Sequence, residues 1–335
     1  MRRTEKHTLI AGLAIVATAL LTFACMSIED IIFPDDPKVN SEIEITVKIR
    51  VSQETDDKAH LVFGVLAPKS WNIAQNASLT FTTSGYVNQG YSEIVDEPLV
   101  LVDPTEVEKT TQLPWSTALQ SKLGLMDNYG EVEWVAFKSS TLFDINDQRD
   151  GTPIDATVKI KLMTGPDNIR FNMGFSFCGD NWGMDEDSGE GRYKRNEKSK
   201  VLEVTGGSGP VDDFTKIKLV STTPSVFRYG DIFAVNFQSE TDEGATALKG
   251  ADKIYLCGTA TLADGTEKTV DKASDANLMV VSGPVSYMKY IYPRHFFGLG
   301  ADAVITDIKV WFINGDGSIK VDDSGEGFAL AQSAN

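Results

Sequence analysis

The chain has 335 residues, 48 of them acidic and 31 basic, for a net charge of −17 at pH 7. A surface this acidic repels nucleic acid and anionic lipid and suits a neutral partner or one bound with cations, and with no basic patch interleaved with aromatics nucleic acid is excluded as a partner. Hydrophobic residues make up 41% and charged residues 24%, so a packed core is available, and the length suggests two domains behind a leader.

Arg2, Arg3 and Lys6 give a basic start, an apolar run spans Leu9 to Leu21, and Ala24 precedes Cys25. The run is shorter than the roughly 20 apolar residues a membrane span needs. The pattern predicts a lipoprotein signal peptide over 1–24 and a lipid on Cys25. Thr22 and Phe23 depart from the usual residues before a lipidated cysteine, so an ordinary signal peptide that happens to end near a cysteine is the alternative. The lipid would be the only contact with the membrane and would hold the protein outside the inner membrane. Residues 25–37, with Glu29, Asp30, Pro34, Asp35, Asp36 and Pro37, read as an acidic tether.

Strand patterns follow. Ile43, Ile45, Val47, Ile49 and Val51 alternate with polar residues, a half-buried strand of period two. Further strand patterns lie at 60–66, 77–83, 132–137, 156–162, 169–177 and 200–205. Residues 114–124 read as one short helix, with Pro114 at its start and Gly124 as its stop. Gly206–Pro210 reads as a linker, and strand patterns resume at 216–220, 232–237, 253–257 and 303–313. The expected fold is all-β: two β-sandwich, immunoglobulin-like domains in tandem, at 38–207 and 208–335.

The sequence has no G-x-S-x-G, no H-E-x-x-H, no phosphate-binding loop and no motif that selects a catalytic carboxylate pair, so no enzyme is expected. The loop from Cys178 to Tyr193 concentrates the candidate chemistry. Asp180, Asp185 and Asp187 are hard oxygen donors suited to Ca²⁺, although the spacing fails the EF-hand template, and a solvated acidic loop is the alternative. No other cofactor is expected. Trp182 and Asn181 have the chemistry of sugar recognition, a ring for C–H faces and an amide for hydroxyls. The alternative for Trp182 is a plug over one end of a sandwich. Trp71, at a strand end after Pro68, fits either role. Tyr290 and Tyr292 share one face of a strand pattern, with Tyr287 on the other. Cys178 and Cys257 read as two buried thiols, with a disulfide between the domains as the alternative.

Leu66-Ala-Pro-Lys-Ser-Trp71, Glu133-Trp-Val-Ala-Phe137 and the Cys178–Tyr193 loop resemble a domain-of-unknown-function family of Bacteroidota-type surface lipoproteins from glycan-utilisation loci. Tyr292-Pro-Arg-His-Phe-Phe-Gly298 through Ile308–Gly317 is similar to modules found beside starch-active proteins of that group. The acids after Cys25 resemble the surface-export signal of such lipoproteins. The resemblance implies a protein lipid-anchored in the outer membrane and facing the cell exterior. It would bind polysaccharide or oligosaccharide, α-glucan first, as a non-catalytic partner of an outer-membrane transporter complex. The alternative is a structural or adhesin-like surface lipoprotein without sugar binding.

Overall fold

Period-two alternation carries most of this chain into strands. The computed structural model describes residues 26–51, 58–144, 154–184, 195–209, 211–224 and 227–332. Cys25 and the leader lie outside the described residues, as do Asp185 and Asp187. The chain divides into two units, Met1–Thr215 and Lys216–Asn335.

The first unit contains β1 (Met26–Ile32), β2 (Glu42–Val51), β3 (Lys58–Ala59), β4 (Leu61–Pro68), β5 (Ala77–Ser84) and β6 (Glu97–Leu101). It continues with β7 (Val132–Ser139), β8 (Phe143–Asp144), β9 (Ile154–Met163), β10 (Ile169–Gly179), β11 (Arg195–Val204) and β12 (Asp212–Asp213). Its helices are α1 (Ile73–Asn76) and α2 (Trp115–Leu123). One continuous sheet runs β1-β2-β9-β5-β6-β7-β4-β10-β11, with β12 beside β10. It curls around a single core until its two edge strands meet. Side chains close that seam: Asn196 accepts from the Ile28 amide at 2.9 Å, and Lys200 donates to the Ile31 carbonyl at 2.8 Å. Both ends of the ladder are thereby kept from pairing with another chain.

Two expectations are corrected here. The acidic tether is, from Met26 to Ile32, an integral strand paired with β2. Met26, Ile28 and Ile31 are buried in the core, and an irregularity between Ile28 and Asp30 resets the register so that Ile31 also faces inward. Nor is 206–209 a free linker, Pro210 lying outside the described residues. Asn168 donates to the carbonyls of Gly207 (3.1 Å) and Gly209 (2.8 Å) and accepts from the Gly207 amide at 2.7 Å. The division falls instead between Thr215 and Lys216, where Lys216 and Lys218 are exposed. Limited digestion with trypsin is expected to cut at Lys216 or Lys218, and a broad-specificity protease to spare 206–209. Mass spectrometry of the first fragments checks this, and initial cuts within 206–209 would return the boundary to the glycines.

β4 is buried along its whole length because both of its faces are covered. Phe63 and Val65 face the core, while Gly64 and Leu66 face the opposite way, beneath α2. A Cβ on Gly64 would come within 2.9 Å of Leu119, so the missing side chain is what seats the helix. Trp134 donates its indole N–H to the Gly124 carbonyl at 2.8 Å, tying down the end of α2.

The second unit contains β13 (Val220–Thr223), β14 (Phe233–Gln238), β15 (Glu240–Thr241), β16 (Gly244–Ala245), β17 (Ile254–Leu262) and β18 (Glu267–Val270). Then come β19 (Val280–Val281), β20 (Ser286–Ile291), the short helix α3 (Pro293–Phe296), β21 (Ile305–Asn314), β22 (Lys320–Val321) and β23 (Phe328–Ala329). Two sheets, β13-β14-β20-β19 and β18-β17-β21-β22 with β23 on β21, pack over one core. Phe237 of one sheet stacks on Phe312 of the other with ring centroids 4.1 Å apart. Both units are all-β, as expected.

Candidate binding face

In β20 the burial alternates with the strand period. Tyr287 and Ile291 pack inward, whereas Tyr290 is 61% exposed. Tyr292 is 38% exposed, and its backbone is still extended where it caps α3. The two rings therefore share the outward face, roughly 7 Å apart along the chain by the strand rise. Ladder register supplies their neighbours. Tyr290 lies opposite Ala234, which lies opposite Thr223; Met288 lies opposite Asn236, which lies opposite Ser221. Gln238 and Ser286 form the next row, and Ser286 donates to the Gln238 amide oxygen at 2.6 Å. Asn236 donates to the Thr223 hydroxyl at 2.9 Å. These outward rows carry no charge, although the whole chain is at −17. Tyrosine rings beside fixed amides and hydroxyls can cover C–H surface and bond hydroxyl groups together.

The other predicted contacts belong to the first unit. Trp71 is corrected: it is 2% exposed, edge-on to Phe171 with ring centroids 5.2 Å apart. A Cβ on Gly165 would lie 2.8 Å from the Trp71 ring, so the indole fills space that this glycine leaves. Trp182 is half-buried, in the turn that follows β10. Its amide donates to the Gly179 carbonyl at 3.2 Å, and Lys109 holds the Asn181 carbonyl at 2.7 Å. The Asn181 side-chain oxygen is buried without a hydrogen-bond partner. The Asp180 carboxylate accepts from the His60 amide at 2.9 Å, a structural task. Among the described residues no three His, Cys, Asp or Glu side chains come together as a metal site.

Sequence reasoning missed what organises this turn. Glu108 is fully buried and accepts from the amides of Thr110 (2.8 Å), Thr111 (2.6 Å) and Met184 (2.8 Å). Burial alone would raise its pKa; hydrogen bonds from the Thr111 hydroxyl and these amides outweigh that and bring it down to about 2. The carboxylate fits because Gly183, at φ +70°, has no Cβ, which would lie 2.0 Å from a Glu108 oxygen. Two threonines just after an acid were the only local signal. Cys178 and Cys257 are free and buried, and burial pushes both thiols up, Cys257 to about 12, so neither is a nucleophile at neutral pH.

Residues 26–218 match the family described as Domain of unknown function (DUF4961), and residues 220–321 match Domain of unknown function (DUF8578). No curated protein matches the chain. Among solved structures, the C-terminal domain of the Streptococcus agalactiae AgI/II polypeptide BspA is similar at 10% identity, covering 88% of this chain and 97% of that one, with a TM-score of 0.27. The C-terminal domain of the Streptococcus pyogenes antigen I/II-family protein AspA is similar at 9% identity over 87% and 97%, with a TM-score of 0.28. The Streptococcus agalactiae major pilin GBS80 fragment is similar at 9% identity over 91% and 90%, with a TM-score of 0.26.

Proposed function

This chain belongs to the DUF4961 family through residues 26–218, and from that premise we propose a non-catalytic, lipid-anchored surface protein that binds glycan on the tyrosine face of its second unit. The carrying observation is the pair Tyr290 and Tyr292, exposed on an uncharged sheet face beside Asn236, Ser221 and Thr223. The basic start, short apolar run and Cys25 support anchoring by a lipid. No helix among the described residues is long and apolar enough to cross a membrane. An uncharged face on an acidic protein favours a ligand whose contact surface is hydroxyls and C–H groups. α-Glucan presented to an outer-membrane import complex is the ligand tested first.

The experiment is affinity electrophoresis of the mature chain, made soluble by Cys25→Ser, through gels containing a panel of polysaccharides. One polysaccharide is expected to retard it. Tyr290→Ala or Tyr292→Ala should each weaken that retardation, by about 2 kcal/mol for a hot-spot ring, or roughly thirtyfold in Kd. Both side chains are exposed, so melting should not move. Retardation by none of the panel, or by the same polysaccharide equally in both variants, would leave the structural or adhesin-like role instead.

A further inference from the structure

Most described arginines are committed to carboxylates. Arg50 meets Asp155 at 2.9 Å, Arg170 meets Glu203 at 3.0 Å, and Arg195 meets Glu197 at 3.4 Å. Arg228 and Arg294 make no ion pair among the described residues, in a chain with 48 acids to 31 bases. Both line one cleft of about 220 Å³, together with Tyr229, Val304 and Gln332.

The fold fixes the walls of this cleft. Arg228 lies in the connection from β13 to β14, where its amide donates to the Asp231 carboxylate at 2.8 Å. Tyr229 donates its hydroxyl to the Leu330 carbonyl at 2.8 Å, and its amide reaches the Gln332 side chain at 3.3 Å. Arg294 sits in α3, two residues past Tyr292. β14 begins at Phe233, opposite Ile291, so the connection and α3 occupy the same end of the sheet. That is the end at which the tyrosine pair lies.

We propose that the Arg228–Arg294 cleft binds a carboxylate or sulfate group of an acidic glycan whose uncharged part lies on the tyrosine face. Arg228 and Arg294 put two positive charges on the lining of one cleft that includes no carboxylate, and an anion there is attracted by both. The guanidinium fork matches a two-oxygen anion, and arginine sheds its hydration more readily than lysine. The link to a glycan rests on the tyrosine-face reading; the anion site does not.

The test is isothermal titration calorimetry on the full mature chain with glucuronate, inorganic sulfate and glucose. Glucuronate is expected to bind saturably, more weakly as salt is added, and glucose is not expected to bind at this cleft. Arg228→Gln and Arg294→Gln should each weaken glucuronate at least tenfold with melting unchanged; the Arg→Lys variants should fall between. Sulfate binding as well as glucuronate means that the cleft reads charge, and glucuronate alone means that it reads a carboxylate; both support the site. Absence of saturable binding by either anion, or undiminished binding in the double Gln variant, overturns it. If Tyr290→Ala and Tyr292→Ala leave polysaccharide retardation intact while glucuronate still needs the arginines, the tyrosine-face reading falls and the anion site stands.

Discussion

Glu108→Ala is expected to destabilise the first unit by about 3 kcal/mol, since truncation strands the buried Met184 amide and strips acceptors from Thr110 and Thr111. Solvent can reach the two threonines and recover part of the loss, so the Met184 amide dominates. The same carboxylate sets a pH dependence. Its pKa falls from 4.5 unfolded to about 2 folded, and each unit corresponds to about 1.4 kcal/mol. A lowered folded pKa gives stability that is fully present above pH 4.5 and is lost as the pH drops towards 2. The contribution at neutral pH is roughly 3 kcal/mol on that scale. Denaturant unfolding at pH 6 and pH 3 should therefore show a smaller loss of stability in Glu108→Gln than in the parent chain. Equal acid sensitivity in the two proteins would mean that folding does not lower the Glu108 pKa.

What the sequence revealed follows from the range over which each feature is set. Strand alternation is local, so the runs at 43–51 and 169–177 were legible, and so was the fact that Tyr290 and Tyr292 would share one face, opposite Tyr287. Helix α2 was legible from Pro114 and Gly124 at its ends. β1 was not, because acids and prolines dominate 25–37 and one register irregularity breaks the alternation of Met26, Ile28 and Ile31. The role of Glu108 depends on Met184, 76 residues away, and no spacing rule reaches that far. The arginine cleft likewise draws on the segments around Arg228, Arg294 and Gln332, which only the folded chain brings together. The glycine-rich stretch failed as a linker for the same reason: Asn168, far upstream, fastens Gly207 and Gly209.

Trp71 separates packing from binding most sharply. A tryptophan after a strand, in Ala67-Pro68-Lys69-Ser70-Trp71, fits by its local pattern either an exposed rim residue or a packed one. The chain instead makes a 3-10 turn over Lys69–Trp71 and passes through Asn72 in the left-handed conformation, and the indole is buried against Phe171 and Gly165. Trp71→Ala should cost about 3–5 kcal/mol, since a rigid strand on one side and a glycine backbone on the other leave little room for collapse. For a unit of this size that lowers the melting temperature by roughly 10 °C. Trp71→Phe, which keeps a ring against Phe171 but not the indole's full volume, should lose about half as much stability. Polysaccharide retardation measured well below the melting point should be unchanged in both variants, because the tyrosine face belongs to the other unit. Loss of retardation with melting intact would instead make Trp71 a contact residue, which an indole 2% exposed has no surface to be.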